Sequence, residues 1–163
     1  QGSFFTNSPL RGTKAVGTTL YEGGQKIPFI IKWPYKIKGG KEIKALVQTT
    51  DIFPTLCEIV GADTKQYVGL EGLSLLNLLI KGESLKRDAI FAFRSYDAQY
   101  ASVLTHNKWK LIAYRQGKYE LFKVDQDISE KNDIADQYPE KVNELVKKLK
   151  SWMDRNCINI DIY

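Results

Sequence analysis

The stretch that decides the fold reads PLRGTK at 9–14, TLYEGG at 19–24 and IPFIIKWP at 27–34. Its first two parts mix glycines with charged side chains, which is typical of a loop whose backbone lies close to an anion. Its third part holds the apolar run Phe29–Ile31, which predicts a short strand buried on both faces and ended by Pro34. Natural domains rarely begin inside such a loop. The 163-residue chain is therefore expected to be the later part of a larger protein.

Composition indicates a globular class, because 43% of the residues are hydrophobic and 26% are charged. No apolar run approaches the roughly 20 residues that a membrane helix requires. The net charge is +5, and the densest basic segment runs from Lys32 to Lys44. Glycines and Glu42 interrupt that segment, which favours a solvated loop over a nucleic-acid patch. Neither a nucleic acid nor a membrane is a predicted partner.

Two cysteines, Cys57 and Cys157, lie far apart in the sequence. Neither has a second cysteine or a histidine at metal-ligand spacing. We predict that both are packing residues and that this chain holds no metal site of its own.

A helix is predicted to start at Thr49-Thr50-Asp51, with Asp51 as N-cap and Pro54 at the third helical position. Gly61 supplies the stop signal. The apolar residues of this helix share one face: Ile52, Phe53, Leu56, Ile59 and Val60. A second, short helix is expected within residues 70–82.

The second half of the chain changes character and predicts four short strands, at 89–93, 101–104, 109–114 and 119–124. Turns at 105–108 and 115–118 join the last three strands into an antiparallel meander. A helix opened by Pro139 carries Val142, Leu145, Val146, Leu149, Trp152 and Met153 on one face, and it is predicted to cover the sheet. The fold class is therefore α/β for the intact protein and α+β for this chain. The expected domains are residues 1–85 and 86–163.

The chain offers few catalytic groups. Its single histidine, His106, falls in a predicted turn, and no glycine-rich phosphate loop of a nucleotide-binding type is present. Arg11 and Lys14 lie among glycines, where a cation can reach an anion that the backbone approaches. Glu22, with Gly23 and Gly24, is a candidate anchor for this loop. Composition leaves two interpretations open, namely an anion site and a structural ion pair.

The order of motifs resembles the type I, formylglycine-dependent sulfatases of the alkaline phosphatase superfamily. The likeness begins with the quoted stretch and continues through QTTDIFPTL at 48–56, LEGLSLL at 70–76, KWKLI at 108–112 and YELF at 119–122. It ends with residues 127–135 and the helix that Pro139 opens. The resemblance implies that the chain is the C-terminal portion of a sulfuric ester hydrolase. Residues 29–33 would then join the end of the large sulfatase sheet, and the four-stranded sheet with its helix would form the small C-terminal subdomain.

The resemblance also implies that the catalytic formylglycine and a divalent cation, usually calcium, are held by residues upstream of this chain. Asn7 stands at the nucleophile position of a Pro-x-Arg pattern but cannot become an aldehyde hydrate. The chain alone is therefore expected to be inactive and to bind neither cofactor.

One sulfate-contacting residue carries over from the family as a hypothesis. The family lysine stands five residues before the glutamate of the Glu-Gly-Gly segment, where this chain has Gly17; Lys14 lies eight residues before Glu22. Lys14, with Arg11 as a substitute, is the candidate sulfate contact. Arg94 and His106 are candidate substrate contacts in loops of the small subdomain.

Two alternatives remain. The first is a phosphate or phosphonate ester hydrolase of the same superfamily, and the second is a non-catalytic module that binds anions or glycans through its basic loop. For the sulfatase, the expected partner is a sulfated small molecule or glycan bound with the N-terminal domain. Residues 29–33 are expected to be exposed or to pair with a second copy of the chain.

Overall fold

The computed structural model describes residues 7–12, 19–94 and 98–158. The chain divides into two compact units, residues 1–28 with 91–163, and residues 29–90. The helices are α1 (Glu22–Gln25), α2 (Ile52–Val60), α3 (Leu76–Lys81) and α4 (Pro139–Arg155), and the strands are β1 (Ala89–Phe93), β2 (Gln99–Thr105), β3 (Trp109–Tyr114) and β4 (Tyr119–Lys123). None of the helices in these ranges is long and apolar enough to cross a membrane. The division differs from the expected domains 1–85 and 86–163, because residues 1–28 cluster with the C-terminal unit.

The four strands form one antiparallel sheet in the order β1-β2-β3-β4, as predicted. Register places Leu111 opposite both Val103 and Leu121, and all three are fully buried. Helix α4 contacts β2 and β3 and buries Leu145, Leu149, Trp152 and Met153. The Trp152 ring stacks on Phe91 with centroids 5.0 Å apart. The predicted cover of the sheet is confirmed.

The opposite face of the sheet is covered as well, by the segment 20–25 from the N-terminal end of the chain. Leu20 and Tyr21 form a buried cluster with Ile112 and Phe122. Gln25 Nε2 donates to Ser102 Oγ at 3.2 Å. Because both faces of the sheet are covered, the central strands β2 and β3 are buried along most of their length. The sequence did not reveal this second cover, since residues 1–27 have the composition of a loop.

In the other unit, α2 begins after Asp51 and ends at Gly61, whose φ of +72° is the left-handed conformation that glycine favours. Asp51 is the N-cap residue of α2, as predicted, but its side chain makes no capping hydrogen bond to this helix. Its carboxylate instead accepts hydrogen bonds from the backbone N–H groups of Gln48 and Leu73, both at 2.9 Å. Arg87 donates to both carboxylate oxygens, at 2.5 and 2.6 Å. The buried Asp51 carboxylate thus connects the start of α2 to Gln48 before it and to Leu73 and Arg87 after it.

The predicted strand at 29–33 does not form within the described residues. Ile30 is 89% exposed, and Phe29 and Ile31 are exposed as well. The apolar side chains therefore face solvent, which is one of the two outcomes expected for this segment.

Candidate functional site

The loop that carries Arg11 is closed at its base by two arms, residues 7–12 and 19–24, which we call the loop neck. Asn7 Nδ2 donates to the Gly23 carbonyl at 2.6 Å, and the Gly23 N–H donates to the Arg11 carbonyl at 2.8 Å. Gly12 approaches Thr19 so closely that a Cβ on Gly12 would lie 2.1 Å from Thr19 Oγ1. The arms are therefore held together directly before and after residues 13–18. Lys14, the candidate sulfate contact, lies outside the described residues.

Steric contacts require glycine at positions 23 and 24. A Cβ on Gly23 would lie 2.2 Å from the Gly12 carbonyl oxygen, and a Cβ on Gly24 would lie 2.2 Å from the Thr19 carbonyl oxygen. The Gly12 oxygen belongs to the facing arm and the Thr19 oxygen to the same arm as Gly24. Both are backbone atoms, so a side chain cannot be accommodated by a rotamer change. This close approach is a physical reason for the two adjacent glycines.

A buried group of three charges, the Lys110 cluster, anchors the loop neck to the sheet. Lys110 Nζ lies 2.8 Å from Glu22 Oε1 and 3.0 Å from Glu130 Oε1. The Glu22 N–H donates to Glu130 Oε2 at 2.6 Å. Lys110 and Glu130 are fully buried, and Glu22 is 8% exposed. Glu22 therefore pairs with a cation, as expected of an anchor, and the cation is supplied by β3.

Burial raises the pKa of Glu130 above its ordinary value, because desolvation disfavours the charged carboxylate. The Lys110 ammonium and the hydrogen bond from the Glu22 N–H oppose this rise without cancelling it. The Lys110 cluster contains two carboxylates for one ammonium. A second cation lies on the loop neck.

That second cation is Arg11. Its guanidinium donates to the Glu130 carbonyl at 2.7 Å and lies 3.9 Å from the centre of the Tyr21 ring. A cation over an aromatic ring gains about 0.5–1 kcal/mol at an exposed site. Arg11 therefore leaves both interpretations of this loop open. Its contacts with Glu130 and Tyr21 agree with a structural role, and its exposure at the loop neck agrees with an anion site.

A second polar network lies beside Tyr21 and was missed by sequence reasoning. The hydroxyls of Tyr21 and Tyr114 donate to Glu120 Oε2 at 2.6 and 2.8 Å. Gln99 donates to the Tyr114 hydroxyl at 2.9 Å and accepts the Leu20 N–H at 3.1 Å. Burial raises the pKa of both tyrosines, so their hydroxyls stay protonated donors. Strand alternation would have placed Tyr114 and Glu120 on one face, but it gave no sign that residues 20–21 cover them.

Arg94 and His106, the candidate substrate contacts, lie at opposite ends of β2. Arg94 is buried directly after β1 and donates its main-chain N–H to the carbonyl of Tyr100, near the start of β2, at 2.7 Å. His106 is exposed in the turn directly after β2. The seven residues of this strand span about 20 Å. A role of Arg94 and His106 as substrate contacts stays a prediction.

Within the described ranges, no three or more His, Cys, Asp or Glu side chains lie together as ligands for a metal ion. The acidic groups of the Lys110 cluster are already engaged by Lys110 and a backbone N–H. The geometry can hold and orient a loop and can present cations to an anion.

Comparison with known proteins assigns this chain to a family. Residues 17–158 match the family model of N-sulphoglucosamine sulphohydrolase, C-terminal. Because this match covers most of the chain, the chain belongs to this C-terminal sulfatase family, as predicted.

Individual relatives of the chain are also named as sulfatases. The chain is 32% identical to arylsulfatase K of Xenopus laevis over 158 residues, which is 89% of this chain and 29% of the relative. It is 29% identical to N-acetylgalactosamine-6-O-sulfatase of Bacteroides thetaiotaomicron over 84% of this chain and 29% of the relative. The chain thus spans less than a third of the length of these curated relatives.

Among solved structures, Ps i-CgsB in complex with k-i-k-neocarrahexaose matches with a TM-score of 0.78 and 29% identity, over 90% of this chain and 32% of that chain. A structure in complex with its substrate D-glucosamine-2-N,6-O-disulfate matches with a TM-score of 0.65 and 24% identity, over 80% of this chain and 28% of that chain. The latter supports the fold alone. The predicted fold class, with its antiparallel sheet and covering helix, is confirmed.

Proposed function

We propose that the protein containing this chain hydrolyses a sulfate ester of a small molecule or glycan. We further propose that the chain alone is inactive and supplies the loop neck to the sulfate pocket. The observation that carries this proposal is the family match, since it covers residues 17–158 and the relatives named above are sulfatases. The substrate class is supported by the similar structure in complex with k-i-k-neocarrahexaose and by the relative named N-acetylgalactosamine-6-O-sulfatase.

In this proposal the cations of the loop carry the chemistry that the chain itself supplies. Lys14, with Arg11 as the substitute candidate, offsets the negative charge that develops on the sulfate group in the transition state. The loop neck holds Arg11 at the edge of that pocket through Glu130 and Tyr21. Glu22, Gly23 and Gly24 act as anchors and do not touch the substrate.

Calcium and formylglycine are expected in the intact enzyme and would supply the Lewis acid and the nucleophile. The described residues do not fit a divalent cation, because they contain no set of three or more candidate ligands. No step is therefore derived through either group, and their place is proposed to be upstream of this chain.

The test is hydrolysis by the full-length gene product, with aryl sulfates and sulfated monosaccharides compared with the matching phosphates. We expect sulfate esters to be hydrolysed with a kcat/KM at least about a hundredfold above that of the phosphates. The 163-residue chain, purified alone, is expected to show no turnover. Preferential phosphate hydrolysis would favour the superfamily alternative, and turnover by the chain alone would contradict its proposed inactivity.

The role of the loop cations is tested with Lys14→Ala in the full-length enzyme. Loss of one preorganised charge at the reacting group is expected to lower kcat by a factor of about 100–1000. Lys26→Ala is the matched control, because Lys26 is exposed on the same segment just outside the loop neck. Equal rates for the two variants would exclude Lys14 as a sulfate contact.

A further inference from the structure

We infer that Lys110 is a positioning residue for the sulfate-contacting loop, an inference that rests on the proposed function. Lys110 lies on β3, opposite Leu104 on β2 and Phe122 on β4. Its side chain is fully buried, so the ammonium cannot reach a substrate. Any effect of Lys110 on sulfate must therefore act through the groups that it holds.

The Lys110 cluster holds both arms of the loop neck. On one arm the ammonium binds the Glu22 carboxylate directly, and Glu22 is followed by Gly23, which contacts the other arm. On the other arm Arg11 binds the main-chain carbonyl of Glu130, whose side chain binds the same ammonium. Glu130 therefore links the two arms, because its carboxylate accepts the Glu22 N–H and its carbonyl accepts the Arg11 guanidinium.

The positioning depends on the charge of Lys110. Its ammonium separates two buried carboxylates that lie 2.8 and 3.0 Å from it. Without the ammonium these carboxylates would be close, buried and unbalanced, a situation that proteins relieve by protonation or by moving the groups apart. Moving Glu22 away from Glu130 would open the loop neck, whose arms directly flank the segment that contains Lys14.

The experiment uses the full-length enzyme with Lys110→Met, and with Arg87→Met as the matched control. Arg87→Met breaks a buried ion pair of similar burial, Arg87 with Asp51, in the unit that does not contain the loop neck. Rates are normalised to the folded enzyme. We expect Lys110→Met to lower kcat/KM by about tenfold or more and to weaken inhibition by inorganic sulfate by a similar factor. Sulfate inhibition of Arg87→Met should stay within about twofold of the wild type, since positioning effects are local.

Two further variants keep the inference open to contradiction if Lys110→Met does not fold. Glu130→Gln keeps the side-chain length and an oxygen that can accept the Glu22 N–H, but it removes one charge. Lys110→Arg retains the positive charge and is expected to recover part of the sulfate affinity. Sulfate inhibition of Glu130→Gln is expected to weaken relative to Arg87→Met. If sulfate inhibits Glu130→Gln within about twofold of Arg87→Met, the cluster has only a structural role and the inference is overturned.

A readout that needs no sulfate separates this inference from the proposed function. Hydrogen exchange of residues 19–26 is expected to rise about tenfold or more in Lys110→Met, with no matching rise in α4. If the wild-type enzyme neither hydrolyses sulfate esters nor binds sulfate, the proposed function fails while this exchange difference still tests the anchoring. Equal exchange in wild type and Lys110→Met would overturn the anchoring whatever the activity.

Discussion

Gly23 is the residue at which the loop neck has the least space for change. In Gly23→Ala the new methyl group would lie 2.2 Å from the Gly12 carbonyl oxygen and 2.5 Å from the Arg11 carbonyl oxygen. Because these are backbone atoms, the arms must separate, and we expect a loss of about 2–4 kcal/mol in the free energy of unfolding. Urea denaturation of the chain measures this loss.

Gly39→Ala is the control for that substitution. A Cβ on Gly39 would have no heavy atom within 4 Å. The free energy of unfolding is expected to change by less than about 0.5 kcal/mol. A similar loss in both variants would show that the close approach at Gly23 is not the cause.

Asp51 gives the protein a pH dependence in the acid range. Burial alone raises the pKa of its carboxyl group, but hydrogen bonds from Arg87, Gln48 and Leu73 outweigh burial and hold the pKa below the ordinary value of 3.8. The unfolded state therefore binds the proton first, so Asp51 contributes full stability above pH 3.8 and loses it as the pH falls through the folded value.

Asp51→Asn is expected to lower the free energy of unfolding by about 3–5 kcal/mol near neutral pH, because it leaves the Arg87 guanidinium buried without its anion. The difference from wild type should shrink at lower pH, below the ordinary pKa of Asp51. Urea denaturation over a pH series measures both effects. A constant difference throughout the acid range would contradict the assignment to Asp51.

The two cysteines should differ in reactivity. Both were predicted to be packing residues, but only Cys57 is buried, on α2, whereas Cys157 is exposed just after α4. Because thiol modification requires access, a thiol reagent should label Cys157 at least about tenfold faster than Cys57 in the native chain. Mass spectrometry of the labelled peptides measures the ratio, and guanidinium chloride should abolish it.

At the scale of elements, α4 and α2 have apolar faces with different surroundings. Leu149 of α4 is fully buried against the sheet, whereas Leu56 on the apolar face of α2 is 55% exposed. Leu149→Ala is therefore expected to cost about 2–5 kcal/mol and Leu56→Ala less than about 1 kcal/mol. Thermal or urea unfolding of the chain measures the loss of stability in each variant. If Leu56→Ala loses more stability than Leu149→Ala, the apolar face of α2 is packed in solution and the prediction is wrong.

Elements with a strong local pattern could be predicted from the sequence. β1 and β3 have the predicted bounds, and α4 begins at Pro139 as predicted, because alternation and a proline at the first helical position are local signals. The prediction of a strand at 29–33 was wrong for this structure, since a short apolar run forms a strand only where neighbouring strands pair with it.

The candidate site was less predictable, because its key contacts join residues far apart in the chain. Glu22 was recognised as an anchor from its place between Tyr21 and two glycines. Lys110 and Glu130 were missed as its partners, since a lysine in a strand usually faces solvent. No local pattern marks a buried lysine, and only the cover by residues 20–25 explains it.

At the scale of the whole chain, the exposed apolar residues of segment 29–33 predict self-association. Ile30, at 89% exposure, is the most exposed of the three apolar residues at 29–31. We expect the chain to form dimers or larger species at concentrations of about 10–100 μM, because unpaired apolar segments of this kind associate. Light scattering after size exclusion measures the mass, and Ile30→Lys should shift it to the monomer. A wild-type chain that stays monomeric would contradict this prediction.

The cover by the N-terminal segment also has a consequence for how the molecule is made. Glu22 binds groups that lie 88 and 108 residues further along the chain, and Arg11 binds one that lies 119 residues further. The ribosome releases these partners only after most of the chain has been synthesised, and contacts of such long separation form slowly. The loop neck is therefore among the last parts to assemble during translation, so premature termination before Glu130 would leave the loop neck without the groups that hold its two arms.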